Sequence, residues 1–218
     1  MLQIIVFLGP SLDASTAKSI LDADYRLPAK RGDILAAVRD GAGIICLIDG
    51  SFHQDAAVAH REILTALKTG VIVVGASSMG ALRAAEMDAL GMTGIGEIYR
   101  RYAAGELVSD DEVALVFDPV SGNALSEPLI NIRYTLEKAE RCGIISVDEH
   151  SILLDAARSL FYPSRTYQAI ISAIGNSLDN EIKERFLAWV EENSCDQKRS
   201  DAVTALKYIA GLQRKENL

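Results

Sequence analysis

The sequence predicts an α/β fold: a short, mainly parallel sheet with flanking helices in the N-terminal half, followed by a mainly helical C-terminal half. Three observations carry this. Uninterrupted apolar runs, QIIVFL at 3–8, IICLI at 44–48 and VIVV at 71–74, alternate with helix-length segments. Runs of that kind suit strands buried on both faces, as parallel strands are when helices cross over them. Beyond residue 91 such short runs largely give way to helical periodicity. Hydrophobic residues make up 49% of 218, enough for a full core. Residues 1–95 are expected to form the α/β core that carries the site. Residues 96–218 are expected to be a mainly helical extension packed on it as one structural unit.

Each element follows from local signals. The first strand, 3–8, stops at Gly9-Pro10-Ser11, and Ser11 is a candidate N-cap for a helix over 12–22. Residues 25–28 read as a short extended piece, because the residue before a proline avoids the helical region. Asp33 opens a helix to Asp40, closed by Gly41 and Gly43. The strand at 44–48 runs into Asp49-Gly50, and a helix over 55–69 ends at Gly70. The strand at 71–74 leads through Gly75-Ala76-Ser77-Ser78 into a helix reaching Leu90. A short helix is expected over 94–104. A turn-rich stretch follows over 105–128, with one or two short strands, 113–117 among them, and a solvated Asp110-Asp111-Glu112. Helices over 129–142, 147–160, 166–172, 179–192 and 198–212 complete the chain.

Composition narrows the function classes. The net charge is −8, so nucleic acid is not an expected partner, since phosphate recognition needs a surplus of Lys and Arg. No apolar run reaches the roughly 20 residues needed to span a bilayer, and no membrane association is expected. The first residues lack the basic start and small-residue cleavage site of a signal peptide. The three cysteines, Cys46, Cys142 and Cys195, are widely spaced and form no metal-binding pattern. They read as reduced thiols of a cytoplasmic protein. No metal and no cofactor is expected. Gly9-Pro10-Ser11 lacks the glycines of a nucleotide fingerprint.

The chemistry points to GASSMGALRAAE at 75–86. A serine on a strand-to-helix turn stands at the C-terminal edge of a sheet, beside the unpaired N–H groups and positive end of a helix. Ala76-x-Ser78-x-Gly80 approaches the nucleophile-elbow pattern, with small residues on both sides. Ser78 is therefore a candidate nucleophile, with Ser77 as the alternative, and a helix cap is the competing role. Met79 and Gly80 would offer backbone amides to an oxyanion. A base is needed. His53, His60 and His150 are not tied to this turn by sequence. A desolvated lysine can also serve, and Lys30 in the LPAKRGD loop is the candidate, against a solvated turn with an Arg31–Asp33 pair. Arg83 and Glu86, three apart, read as an intrahelical ion pair or as residues ordering the site. Asp49, at a strand end, could orient a base.

Several segments together resemble the TfuA-like proteins: FLGPSL at 7–12, PAKRGD at 28–33, LIDGSF at 47–52, GASSMGALRAAE at 75–86, DDEVAL at 110–115, LSEPLINIR at 125–133 and QKRSDA at 197–202. The resemblance implies a partner of a YcaO enzyme in peptide backbone thioamidation, where sulfur replaces an amide oxygen. It implies hydrolysis of a thiocarboxylated ThiS-like sulfur-carrier protein to release sulfide, with a Ser–Lys pair. The matching serine is Ser78, or Ser77, and the matching lysine is Lys30. Arg31 or Arg83 would be the cation that keeps Lys30 neutral. The thioamidated substrate, a peptide or a protein, would be met through YcaO. The alternative is a non-catalytic adaptor that docks YcaO and its peptide substrate.

Overall fold

A computed structural model describes residues 2–52, 56–118 and 124–216. The chain forms two compact units: residues 1–110 with 198–218, and residues 111–197. The first is built on five parallel strands: β1 Gln3–Phe7, β2 Asp24–Arg26, β3 Ala42–Leu47, β4 Ile72–Ala76 and β5 Thr93–Ile95. Their order is β2-β1-β3-β4-β5, and every pairing is parallel. β1, β3 and β4 were legible in their apolar runs and β2, Asp24-Tyr25-Arg26, only as an extended piece; β5 was not. That strand is three residues with a central glycine, too short to separate from a loop by pattern.

The connections follow the strand order. From β1 the chain steps outward to β2 through α1 (Ala14–Ile20), then steps the other way through α2 (Asp33–Arg39), α3 (His60–Lys68) and α4 (Met79–Met87). Right-handed crossovers place helices of opposite steps on opposite faces. One face of the sheet, Ile5, Phe7, Ile45, Leu47 and Val73, accordingly packs against Ile34 and Ala37 of α2, Ile63 and Ala66 of α3, and Ala84 and Met87 of α4. The other face, Ile4, Val6, Ile44, Cys46, Val74 and Ala76, has only α1 from the first hundred residues. It is completed by Ala202, Ala205, Leu206 and Ile209 of α10 (Gln197–Glu216). After β5 comes α5 (Glu97–Ala103), whose first turn is held by the buried Asp201 carboxylate accepting from the Ile98 amide at 2.7 Å.

The second unit holds α6 (Leu129–Arg141), α7 (Val147–Ser159), α8 (Tyr167–Ala173) and α9 (Asn180–Asn193), packed around Leu129, Leu136, Leu153, Ile170 and Phe186. Ser146 and Thr166 cap α7 and α8 with their hydroxyls, which fixes two of the helix starts seen in sequence.

Three local expectations are corrected. The cap of α1 is Asp13, which accepts from the Thr16 amide at 2.8 Å, because Ser11 is engaged elsewhere. Residues 113–116 form no strand. Asp110–Glu112 is a 3-10 turn, and only Phe117 bridges, to Ala124. The acidic triplet is not a solvated loop. Glu112 is buried and takes two hydrogen bonds from Arg133, at 2.6 and 2.8 Å. Asp111 accepts from Arg165 at 2.7 Å, a guanidinium fully withdrawn from water that also donates to the carbonyls of Ala157 and Leu160. Buried charges are tolerated when paired and hydrogen-bonded, as these are.

Candidate functional site

In open parallel sheets the strand C-termini collect ligands, most often where strand order reverses. Here that reversal lies between β1 and β3, and Asp49 closes it. Its Oδ2 accepts from the Gly9 amide at 2.8 Å and the Ser11 amide at 3.1 Å, and its Oδ1 from the Ser11 hydroxyl at 2.6 Å. Both residues are buried. Asp49 and Ser11 therefore brace two strand ends against each other. Gly9 must be glycine there, since a Cβ would stand 2.4 Å from the Pro28 ring.

The serine turn adjoins this brace. Gly75 and Gly80 let α4 start directly on the sheet: a Cβ on Gly80 would lie 1.7 Å from the Leu47 carbonyl oxygen, and one on Gly75 2.2 Å from that of Gly80. Between them the chain reverses at Ser77. Ser77 is the only non-glycine residue with positive φ (66°) among the described residues. A left-handed serine costs roughly 1–2 kcal/mol and persists only where its surroundings enforce it. Here the Ser78 amide donates to the Ala76 carbonyl at 2.8 Å across the reversal, and the Ser77 hydroxyl donates to the Lys198 carbonyl of α10 at 2.9 Å.

The two serines thus differ. The hydroxyl of Ser77 is committed to α10, and the amide after it is committed to Ala76. Ser78 heads α4, but its side chain makes no capping bond and has no hydrogen-bond partner among the described residues. Of the two amides expected to face an oxyanion, that of Gly80 donates to the Ile48 carbonyl at 3.2 Å, which makes Gly80 a packing residue. The Met79 amide has no acceptor among the described residues.

The KRGD loop runs alongside. Ala29 pairs with Gly50, its amide donating to the Asp49 carbonyl at 2.9 Å, and a Cβ on Gly50 would touch both the Ala29 carbonyl and Met79. The loop is clipped by its own Asp33, which accepts from the Lys30 amide at 2.7 Å, and by Glu62 of α3, which accepts from Gly32 at 2.8 Å. Glu62 is buried, and nothing in the sequence around it singles it out. The side chains of Lys30 and Arg31 are exposed. Arg83 donates to the Val58 carbonyl at 2.9 Å and to Glu86 at 2.6 Å, so the intrahelical pair is formed, with His60 as a second partner of Glu86. His150 pairs with Glu140 in the second unit. His53 lies outside the described residues.

A cavity of about 500 Å³ borders this edge, lined by Phe52, Met79, Leu82, Arg83, Val108 and Asp110 among others; Arg31 and His60 line a smaller one of about 290 Å³ that shares Phe52, Arg83 and Asp110. Met79 is thus a wall of the larger cavity and a neighbour of the serine turn.

One residue at this edge escaped the sequence reading. Lys198 is 1% exposed, and its carbonyl receives the Ser77 hydroxyl. The signal was present: position 198 falls on the same helical stripe as Ala202, Ala205, Leu206 and Ile209, which face the sheet. Among the described residues no cluster of His, Cys, Asp and Glu could hold a metal ion. No helix among them is long and apolar enough to cross a membrane.

Residues 49–166 match the family model described as TfuA-like protein. The chain belongs to the TfuA-like family. The matched span of this TfuA-like chain holds Asp49, both serines, Met79, Gly80 and Arg83, whereas Ser11, Lys30, Arg31 and Lys198 lie outside it. No curated protein matches the chain.

Proposed function

We propose that this TfuA-like chain is the partner of a YcaO enzyme in peptide backbone thioamidation, and that it hydrolyses a thiocarboxylated ThiS-like carrier protein to supply sulfide. The observation that carries the reading is the succession of a Ser78 hydroxyl and a Met79 amide that are both without a partner among the described residues. A nucleophile followed directly by its oxyanion donor is the arrangement acyl transfer needs. The Ser78 oxygen attacks the thiocarboxylate carbonyl while a lysine accepts its proton. The Met79 amide holds the oxyanion. The C–S bond breaks, and sulfide leaves with the proton returned by the lysine. Water, deprotonated by the same amine, then cleaves the acyl ester. Thiocarboxylate and water become carboxylate and hydrogen sulfide. By resemblance the lysine is Lys30, with Arg31 and Arg83 as nearby cations.

Sulfide release from a thiocarboxylated carrier tests this. Ser78→Ala should lower the rate at least about 100-fold, as loss of a nucleophile does, with Ser77→Ala acting through stability. In the alternative reading, a non-catalytic adaptor docks YcaO and its peptide through the cavity rim, where Val108 is 87% exposed. Ser78→Ala protein that still supports thioamidation and binds YcaO would favour the adaptor.

A further inference from the structure

We propose that a groove along α4, beginning at Met79 beside the serine turn, seats the extended C-terminal tail of the carrier protein, with its thiocarboxylate at the N-terminal end of the helix. This rests on the hydrolase reading above and adds to it where the substrate lies. Ser78 and Met79 are 2% and 1% exposed. A folded surface cannot press on so withdrawn a turn, and only a narrow chain end can be fed to it.

The groove is built on one face of α4. Met79, Leu82, Arg83 and Glu86 all line the larger cavity, and their spacing is that of neighbours on successive helical turns. At 1.5 Å per residue this wall runs about 10 Å from the turn to Glu86, the span of about three extended residues. Phe52, Ala57, Arg83 and Asp110 also line the smaller cavity, which holds Arg31 and His60, so the two adjoin. Phe52, Met79, Leu82 and Val108 offer apolar contact to side chains. The Asp110 carboxylate has no hydrogen-bond partner among the described residues and can accept from the amides of an extended chain.

Charge sets the direction. A thiocarboxylate is an anion near neutral pH, and the N-terminus of α4 is the positive end of that helix, with the Met79 amide unpartnered among the described residues. At the far end Glu86 accepts from Arg83 and pairs with His60. The chain end therefore lies toward Ser78, and the body of the carrier toward His60 and Arg31. A thioamidated peptide reacts at an internal amide and needs no terminus at this helix end, which favours the carrier as occupant.

The test fills the groove. Leu82→Trp, at a half-buried position, should raise KM for a thiocarboxylated ThiS-like carrier about tenfold or more, as loss of a binding contact does. Leu90→Trp, at an exposed position outside both linings, should leave KM unchanged. Thermal unfolding checks that each variant is folded. Val108→Trp, on the exposed rim, gives the same test if position 82 does not accept tryptophan. A folded groove variant with the wild-type KM overturns the proposal and leaves the hydrolase reading standing. A second readout needs no turnover: fluorescence anisotropy of a labelled peptide of the carrier's last few residues, ending in an ordinary carboxylate. It should bind wild-type protein, and bind about tenfold more weakly to the groove variants. The same peptide amidated at its C-terminus should also bind more weakly, and equal binding overturns the assigned direction. A tail peptide that does not bind at millimolar concentration, or binds the groove variants as it binds the wild type, overturns the proposal. So does loss of binding to YcaO or to its peptide substrate in the groove variants while the tail peptide is ignored, since the groove then belongs to that partner. A tail peptide seated in the groove with no sulfide released from the carrier refutes the hydrolase reading and leaves the groove assignment standing.

Discussion

The serine turn and the KRGD loop lie side by side at the same sheet edge, yet they are built differently. At the turn the Ser77 hydroxyl and the amides of Ser78 and Gly80 have partners, and among the described residues the Ser78 hydroxyl and the Met79 amide have none. In the loop the backbone is clipped by Asp33 and Glu62 while the cationic side chains face solvent. The difference teaches that a motif's charged residues need not be its buried ones. Here the sealed lysine comes from another helix, more than a hundred residues away in sequence.

The contrast can be broken most directly at the glycines. Gly80→Ala drives a methyl into the Leu47 carbonyl, a backbone atom that cannot step aside. A loss of about 3 kcal/mol or more in chemical denaturation is expected, at or beyond the upper end of overpacking costs. Asp49→Asn removes a carboxylate that serves three donors across the β1–β3 reversal. It should cost about 2 kcal/mol, in the range of hydrogen bonds to charged groups. Gly32→Ala in the KRGD loop meets no atom within 4 Å, so only its φ of +95° is strained. That should cost about 1 kcal/mol, the lower end for a left-handed alanine. If Gly32→Ala were as damaging as Gly80→Ala, the loop would be as tightly built as the turn. Lys30→Ala should change stability by less than about 0.5 kcal/mol, as surface substitutions do.

The smallest effect concerns acid. Hydrogen bonds from Ser15, then from the Thr16 amide and hydroxyl, and then from Arg199 hold the exposed Asp13 well below the usual carboxylate range. A depressed folded-state pKa adds stability that is present above the unfolded value, near 3.8, and fades as pH falls below it. Asp13→Ala should therefore flatten the acid side of a stability–pH curve below about pH 4, leaving the serine turn unaffected.

Much of the fold was legible. β1, β3 and β4 announced themselves as buried runs, and the helices of the second unit by periodicity. The run VALVF misled because a short apolar stretch has no period long enough to tell a strand from a buried turn. The site was legible in its residue types and not in its pairings. Nothing local in the sequence ties Asp49 to Ser11, Glu62 to Gly32 or Arg165 to Asp111, since each pair is joined only by the path of the chain. Spacing favours Ser78 but does not exclude Ser77, because Gly80 stands two after Ser78 while Gly75 stands two before Ser77. Backbone geometry distinguishes them: the reversal at Ser77 uses its hydroxyl and the amide that follows.

The return of α10 to the first unit has a consequence for synthesis. Ribosomes deliver a chain from its N-terminus, and domains generally fold as units in that order. Here the sheet emerges early, but Ile4, Val6, Ile44, Cys46 and Val74 await Ala202, Ala205, Leu206 and Ile209. Until those last residues appear, one side of the sheet is covered by α1 alone, and the Ser77 hydroxyl has no Lys198 carbonyl to grip. The reversal that presents Ser78 is therefore locked only once residues 198–216 have been made, which keeps the site unfinished on a nascent chain.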